Sequence, residues 1–222
     1  MLSIIIPVVE IGSKMKSCGP KSLLKIKNEC LIDRQIKIIE KVFKKIDKEI
    51  IVVFGSSYDK IHKKLPISIM AIFNENYLNT NVVYSLKLAF DKKNGDSVFI
   101  IYGNTIFNEQ AINFKLDKTK AIIYHNNKID SVGVNHLNNT INRFAYGLDY
   151  KWGQILYLQE PVLGIFKKEI NNIKNKKKFC FEILNNIIDA GYKIYPEIIN
   201  NKYILEIDTQ KDFKKANESI YL

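Results

Sequence analysis

The chain has 222 residues, 46% hydrophobic and 26% charged, a globular composition with ample material for one core and no linker, internal repeat or low-complexity tail. Lys plus Arg total 34 against 23 Asp plus Glu, a formal charge of +11 that favours polyanionic partners such as nucleoside triphosphates and phosphorylated substrates. The charge is Lys scattered along amphipathic segments, so nucleic acid is set aside as a partner.

Leu2 to Val9 is a nearly continuous apolar run, the pattern of a strand covered on both faces. It has no basic lead and is too short to span a membrane, so neither a signal peptide nor a membrane partner is expected. A loop with Gly12, Ser13, Gly19 and Pro20 follows. Leu31 to Ile46 then places Ile32, Ile36, Ile39, Val42 and Phe43 at helical spacing. Ile50 to Phe54 reads as a strand ending at Gly55-Ser56-Ser57, with a short polar helix after it. Ile67 to Phe73 reads as a strand, Asn81 to Phe90 as a helix, and Ser97 to Tyr102 as a strand ending at Gly103. This alternation predicts βαβ units, a mainly parallel sheet and helices on both faces, a three-layer α/β/α Rossmann-like domain.

From about Ala121 to Leu158, Asn-rich turns separate short apolar pieces, which predicts a small antiparallel addition. Phe179 to Ala190 reads as a helix stopped by Gly191, Tyr203 to Ile207 as a short strand, and Asp212 to Ile220 as a last helix. The Lys174 to Lys178 cluster reads as a solvated helix-helix connection. Cys18, Cys30 and Cys180 are widely spaced and only three His are present, which argues against zinc and for reduced thiols in the cytoplasm. The whole of 1–222 is expected to form one domain, with a nucleotide-binding part over about 1–115, an acceptor-binding part over about 116–205 and a closing helix over 209–221. A homo-oligomer is left open.

In open α/β sheets ligands bind at the carboxyl ends of strands, which points to the loops Glu10 to Lys21, Asn74 to Thr80 and Gly103 to Asn108. In the first, Gly12 and Ser13 let backbone N–H groups approach phosphate, Lys14 and Lys21 add positive charge, and Pro20 fixes the turn before Lys21. The loop is not a Walker A motif, because no GK[ST] opens a helix, and the GxGxxG fingerprint is absent.

IPVVEIGSKMKSCGPKSLL resembles the signature of sugar-1-phosphate and phosphocholine nucleotidyltransferases, A-A-G-x-G-[ST]-R-[MLF] followed by P-K-x-L. Gly12, Ser13, Met15, Pro20, Lys21 and Leu23 match it. Three further segments agree in order: LIDRQIKIIEKV, NENYLNTNVVYSLKLAF and LEIDTQKDFKKA. The third of these four segments is typical of the phosphocholine cytidylyltransferase-like branch. The resemblance implies a nucleotide groove at Val8, Val9, Glu10, Gly12, Ser13, Lys14, Lys21, Asn74, Thr80, Asn81 and Ser85. It gives Lys14 the β/γ-phosphates, Lys21 the α-phosphate and Asp208 a Mg²⁺ (or Mn²⁺) ion. Tyr102 and Glu160 are the acceptor-side candidates, while Tyr77 and Tyr84 read as packing residues.

Two departures stand out. Where the family has a G-D pair this chain has Gly103-Asn104, and an Asn carbonyl supplies no charge to a metal. Glu10 stands where the family has Gly, and it is a candidate replacement for the lost carboxylate. The expected reaction is NMP transfer from an NTP, CTP favoured, to a phosphorylated small-molecule acceptor, a phosphocholine-like phospho-alcohol or a sugar 1-phosphate, with pyrophosphate released. The alternatives are a catalytically impaired nucleotide-binding homologue and a nucleotide-sugar glycosyltransferase, the latter disfavoured by the lack of a D-x-D.

Overall fold

A computed structural model describes residues 1–8, 20–55, 62, 63, 65–125 and 130–222. Its strands are β1 (Leu2–Val8), β2 (Lys25–Ile26), β3 (Glu29–Cys30), β4 (Lys48–Phe54), β5 (Met70–Phe73), β6 (Ser97–Ile101), β7 (Thr105–Phe107), β8 (Lys120–His125), β9 (Val132–Leu137), β10 (Thr140–Tyr146), β11 (Tyr150–Leu158), β12 (Tyr195–Ile198) and β13 (Ile204–Glu206). The α-helices among the described residues are α1 (Leu31–Val42), α2 (Val82–Phe90), α3 (Glu109–Ile112), α4 (Val162–Asn171), α5 (Cys180–Asp189) and α6 (Gln210–Glu218).

β6, β1, β4 and β5 lie side by side and parallel. β11 pairs antiparallel with β6 and extends the sheet toward β9 and β10 and toward β8 and β12. The apolar runs are continuous because both faces are covered, and successive side chains divide between them. Ile5, Ile51, Val53, Val98 and Ile100 pack with α2, α4 and α5 on one face. Ile4, Ile6, Val52, Phe99 and Ile101 pack with α1 and α3 on the other. The expected three layers follow from this division.

A smaller cluster closes one end. Leu24, Ile26 and Leu31, beside the β2–β3 hairpin, pack with Ile106, Leu205, Ile207 and Ala216. The hairpin turns on Lys27 and Asn28, both in the left-handed region at φ 49° and 68°. β13 pairs antiparallel with β7 and ends at Glu206.

The expected strand over 67–73 begins only at Met70. Pro66 opens a turn in which Ile69 N–H donates to Pro66 O at 3.0 Å, and Ile67 is fully exposed. The short polar helix after Gly55 falls largely outside the described residues. Among the described residues no helix is long and apolar enough to cross a membrane. Cys30 and Cys180 are buried.

Candidate functional site

A cleft of about 660 Å³ opens at the carboxyl ends of β1 and β6. Val8 ends β1 in its wall, and Tyr102, Gly103 and Asn104 follow β6. Gly103 is pressed against β1. Its N–H donates to Pro7 O at 3.0 Å, and a Cβ there would stand 2.2 Å from Val8 Cγ1. Only glycine allows that approach, and it brings Asn104 into the cleft.

Lys21 leaves the tight turn Lys21–Leu23 that follows Pro20, with its side chain nearly buried. Its Nζ lies 2.6 Å from Asp208 Oδ1, so two residues 187 positions apart meet across the cleft. Asp208 precedes α6, whose N-cap is Thr209. Thr209 Oγ1 accepts from Asp212 N–H, and Asp212 accepts in return from the N–H groups of Asp208 and Thr209. The cap is satisfied by Thr209 and Asp212, which leaves the Asp208 side chain for the cleft.

Glu206 was not singled out by its sequence, yet it is central here. It is 9% exposed, and three donors converge on its carboxylate. Lys151 Nζ lies 2.5 Å from Oε2, while Gln154 Nε2 and, at 3.4 Å, Asn104 Nδ2 donate to Oε1. Gln154 reaches it because β11 is irregular between Trp152 and Leu156 and Gln154 itself is left-handed at φ 56°. Asn104 Nδ2 also lies 3.4 Å from Asp208 Oδ1. Burial pushes the Glu206 carboxyl up to about 7 against the pull of the Lys151 ammonium, with Asp208 adding to the rise. Burial acts on Asp208 in the same sense, but Lys21, together with Glu206 and Lys151, holds Asp208 below the usual carboxylate range. The available signal for Glu206 was its spacing: it stands two residues from Asp208, the separation that puts extended side chains on one face.

The other expected residues divide into three groups. Thr80 and Asn81 line the cleft, as does Tyr102, whose ring meets Trp152 edge-on at 5.6 Å. Asn81 caps α2 by accepting from Val82 N–H at 2.8 Å. Asn74 and Ser85 are fully buried behind the wall. Asn74 Nδ2 donates to Ser85 Oγ at 3.0 Å and its Oδ1 accepts from Asn76 N–H, so these two fasten the 74–80 turn to α2. Val9, Glu10, Gly12, Ser13 and Lys14 lie outside the described residues.

Glu160, expected on the acceptor side, lies away from the cleft. β11 runs antiparallel to β6, so Leu158 pairs with Val98 near the start of β6, and Glu160 emerges at the opposite end of the sheet beside Met1, Asp47 and Asp96. There its Oε2 accepts from Gly164 N–H at 3.2 Å. The residue that β11 delivers to the cleft is Gln154.

No family model and no curated protein matches the chain. Solved structures do. The CTP:phosphocholine cytidylyltransferase from Streptococcus pneumoniae superposes with a TM-score of 0.80 at 16% identity, covering 98% of each chain. The inositol-1-phosphate CTP transferase from T. maritima gives 0.78 at 15% identity, over 98% of this chain and 97% of that one. The nucleoside-diphosphate-sugar pyrophosphorylase from Vibrio cholerae gives 0.71 at 12%, over 98% and 99%. The chain has the nucleotidyltransferase fold. At these identities the likeness establishes the architecture, and it agrees with the resemblance read from the four sequence segments.

Within this nucleotidyltransferase fold, Asn104, Glu206 and Asp208 offer oxygen donors of the class that magnesium takes. As arranged they do not fit a bare divalent ion. Asn104 presents its NH₂ to both carboxylates, and each carboxylate already faces an ammonium group, Lys21 or Lys151.

Proposed function

We propose that the chain transfers an NMP from a nucleoside triphosphate to a phosphorylated small molecule, releasing pyrophosphate. The observation that carries this reading is the meeting of Lys21 with Asp208 in a cleft at the carboxyl ends of β1 and β6. An acceptor phosphate oxygen attacks the α-phosphorus in line, and the bond to the pyrophosphate oxygen breaks. Lys21, with Lys14, neutralises charge on the phosphates, and catalysis is mostly positioning with no covalent intermediate on the protein. Residues of about 1–115 hold the nucleotide and those of about 116–205 the acceptor, in a cytoplasmic enzyme.

CTP is the favoured nucleotide, because two of the similar structures carry CTP in their names. The acceptor side favours a phosphocholine-like phospho-alcohol over a sugar phosphate. Tyr146, Trp152, Phe179 and Phe181 line it, Phe179 stacks on Phe181 at 5.8 Å, and Tyr146 meets Phe181 edge-on at 5.9 Å. Aromatic faces with Asp130 nearby suit an alkylammonium head, whereas a polyol needs more hydrogen-bonding side chains.

A pyrophosphate-release assay with each NTP, Mg²⁺ or Mn²⁺, and a panel of phosphorylated acceptors tests the reading. Turnover with CTP and phosphocholine or a close relative is expected. A second reading, a nucleotide-binding homologue impaired in turnover, draws on Asn104. No release from the native chain, with none restored by Asn104→Asp together with Glu10→Gly, removes the active-enzyme reading and leaves the second.

A further inference from the structure

The carboxylate site contains a charge that the transfer reaction above does not use. Lys151 lies in β11 between Tyr150 and Trp152, and its side chain is 9% exposed. A lysine so buried needs a counter-charge, and Glu206 is its acid partner among the described residues. Gln154, turned left-handed in the β11 irregularity, and Asn104 complete the ring of donors around Glu206. Lys21 does the same for Asp208, and Asp212 is engaged in capping α6. Among the described residues two acids are thus matched by two ammonium groups, and the third position of the set, Asn104, is neutral.

We propose that Lys151 is the resident cation of this site, and that together with the neutral Asn104 it prevents a bare divalent ion from binding in the cleft. With Glu206 ionised, an acid at 104 would give these described residues a net negative charge, and loss of Lys151 would do the same. The buried lysine and the missing carboxylate are two halves of one arrangement. An ion already carried by a triphosphate brings oxygen ligands of its own and does not depend on this preformed charge.

The experiment measures Mn²⁺ binding by electron paramagnetic resonance on the intact chain without nucleotide. The native protein is expected to bind no tighter than about millimolar, and Lys151→Met and Asn104→Asp are each expected to tighten binding roughly tenfold or more. Lys151→Met with Glu206→Gln restores neutrality and should return to the native value. If Lys151→Met does not fold, as judged by circular dichroism, Lys151→Gln takes its place. Micromolar Mn²⁺ binding by the native chain overturns the proposal, as does a folded Lys151 variant with no gain. The bare ion is the only ligand measured, so the result stands apart from nucleotide transfer. An absence of turnover counts against the proposed function and leaves this inference untouched.

Discussion

Lys151 and Glu206 form an ion pair of 2.5 Å whose side chains are only 9% and 10% exposed. Removing one partner strands the other charge in a poorly solvated place, which costs about 3–5 kcal/mol, whereas removing both at matched volume costs far less. Urea denaturation should therefore find Lys151→Met strongly destabilised and Lys151→Met/Glu206→Gln closer to the native chain. A loss in the double variant equal to the sum of the Lys151→Met and Glu206→Gln losses would show that the pair is not coupled.

The pH dependence of stability follows from the same carboxyl group. Glu206 rises from 4.5 to about 7 on folding, so the folded state holds its proton more tightly than the unfolded chain. Its contribution is fully present below about pH 4.5 and is lost as pH rises through 7. Between pH 5 and 8 the native urea midpoint should fall relative to that of Glu206→Gln, and the slopes of the two curves, not their heights, make the comparison. Parallel curves would contradict the shift.

Gly103→Ala places a methyl group 2.2 Å from Val8 Cγ1 and 3.1 Å from Pro7 O. Backbone lies on one side and a strand end on the other, so β6 and β1 have to separate. A loss of about 1–3 kcal/mol is expected by thermal or urea denaturation. Nucleotide affinity should fall with it, because Asn104 moves as well.

Asn74→Ala leaves Ser85 Oγ, fully buried in α2, without the amide that donates to it. The expected loss is about 1–3 kcal/mol. Hydrogen exchange should quicken in the 74–80 turn while the central strands stay protected. Uniform loss of protection would mean that the turn is not a separate unit.

Lys21→Ala should weaken nucleotide binding by roughly tenfold or more, read by calorimetry with CTP, as one charge-assisted phosphate contact is lost. Retained affinity would place the triphosphate elsewhere.

The apolar runs at β1, β4 and β6 were readable as strands because both faces are covered, so no alternation interrupts them. Lys21 and Asp208 were readable because each sits in a short motif. Glu206 and Lys151 were not, since their importance comes from pairing across 55 positions between β11 and β13, which no local pattern records. Glu160 was misplaced for a related reason. The run Ile155 to Leu158 looks the same in either direction, and only its antiparallel pairing with β6 shows that it leads away from the cleft. Asn74 and Ser85, expected in the nucleotide groove, are fully buried and bond to each other, fastening the 74–80 turn to α2.

Lys21 and Asp208 are joined over 187 positions, and Leu24 and Leu205 pack in the same small cluster beside them. A fragment lacking either end has half a site at most, so complementation between separately expressed halves would be scored by recovery of ligand affinity. On the proposed function, a nucleotide bound there would act as a closure for the chain as a whole. Bound at a hundred times its dissociation constant, it would add about 2.7 kcal/mol against unfolding. Proteases would then find the segments around Lys21 and Asp208 held together by that ligand.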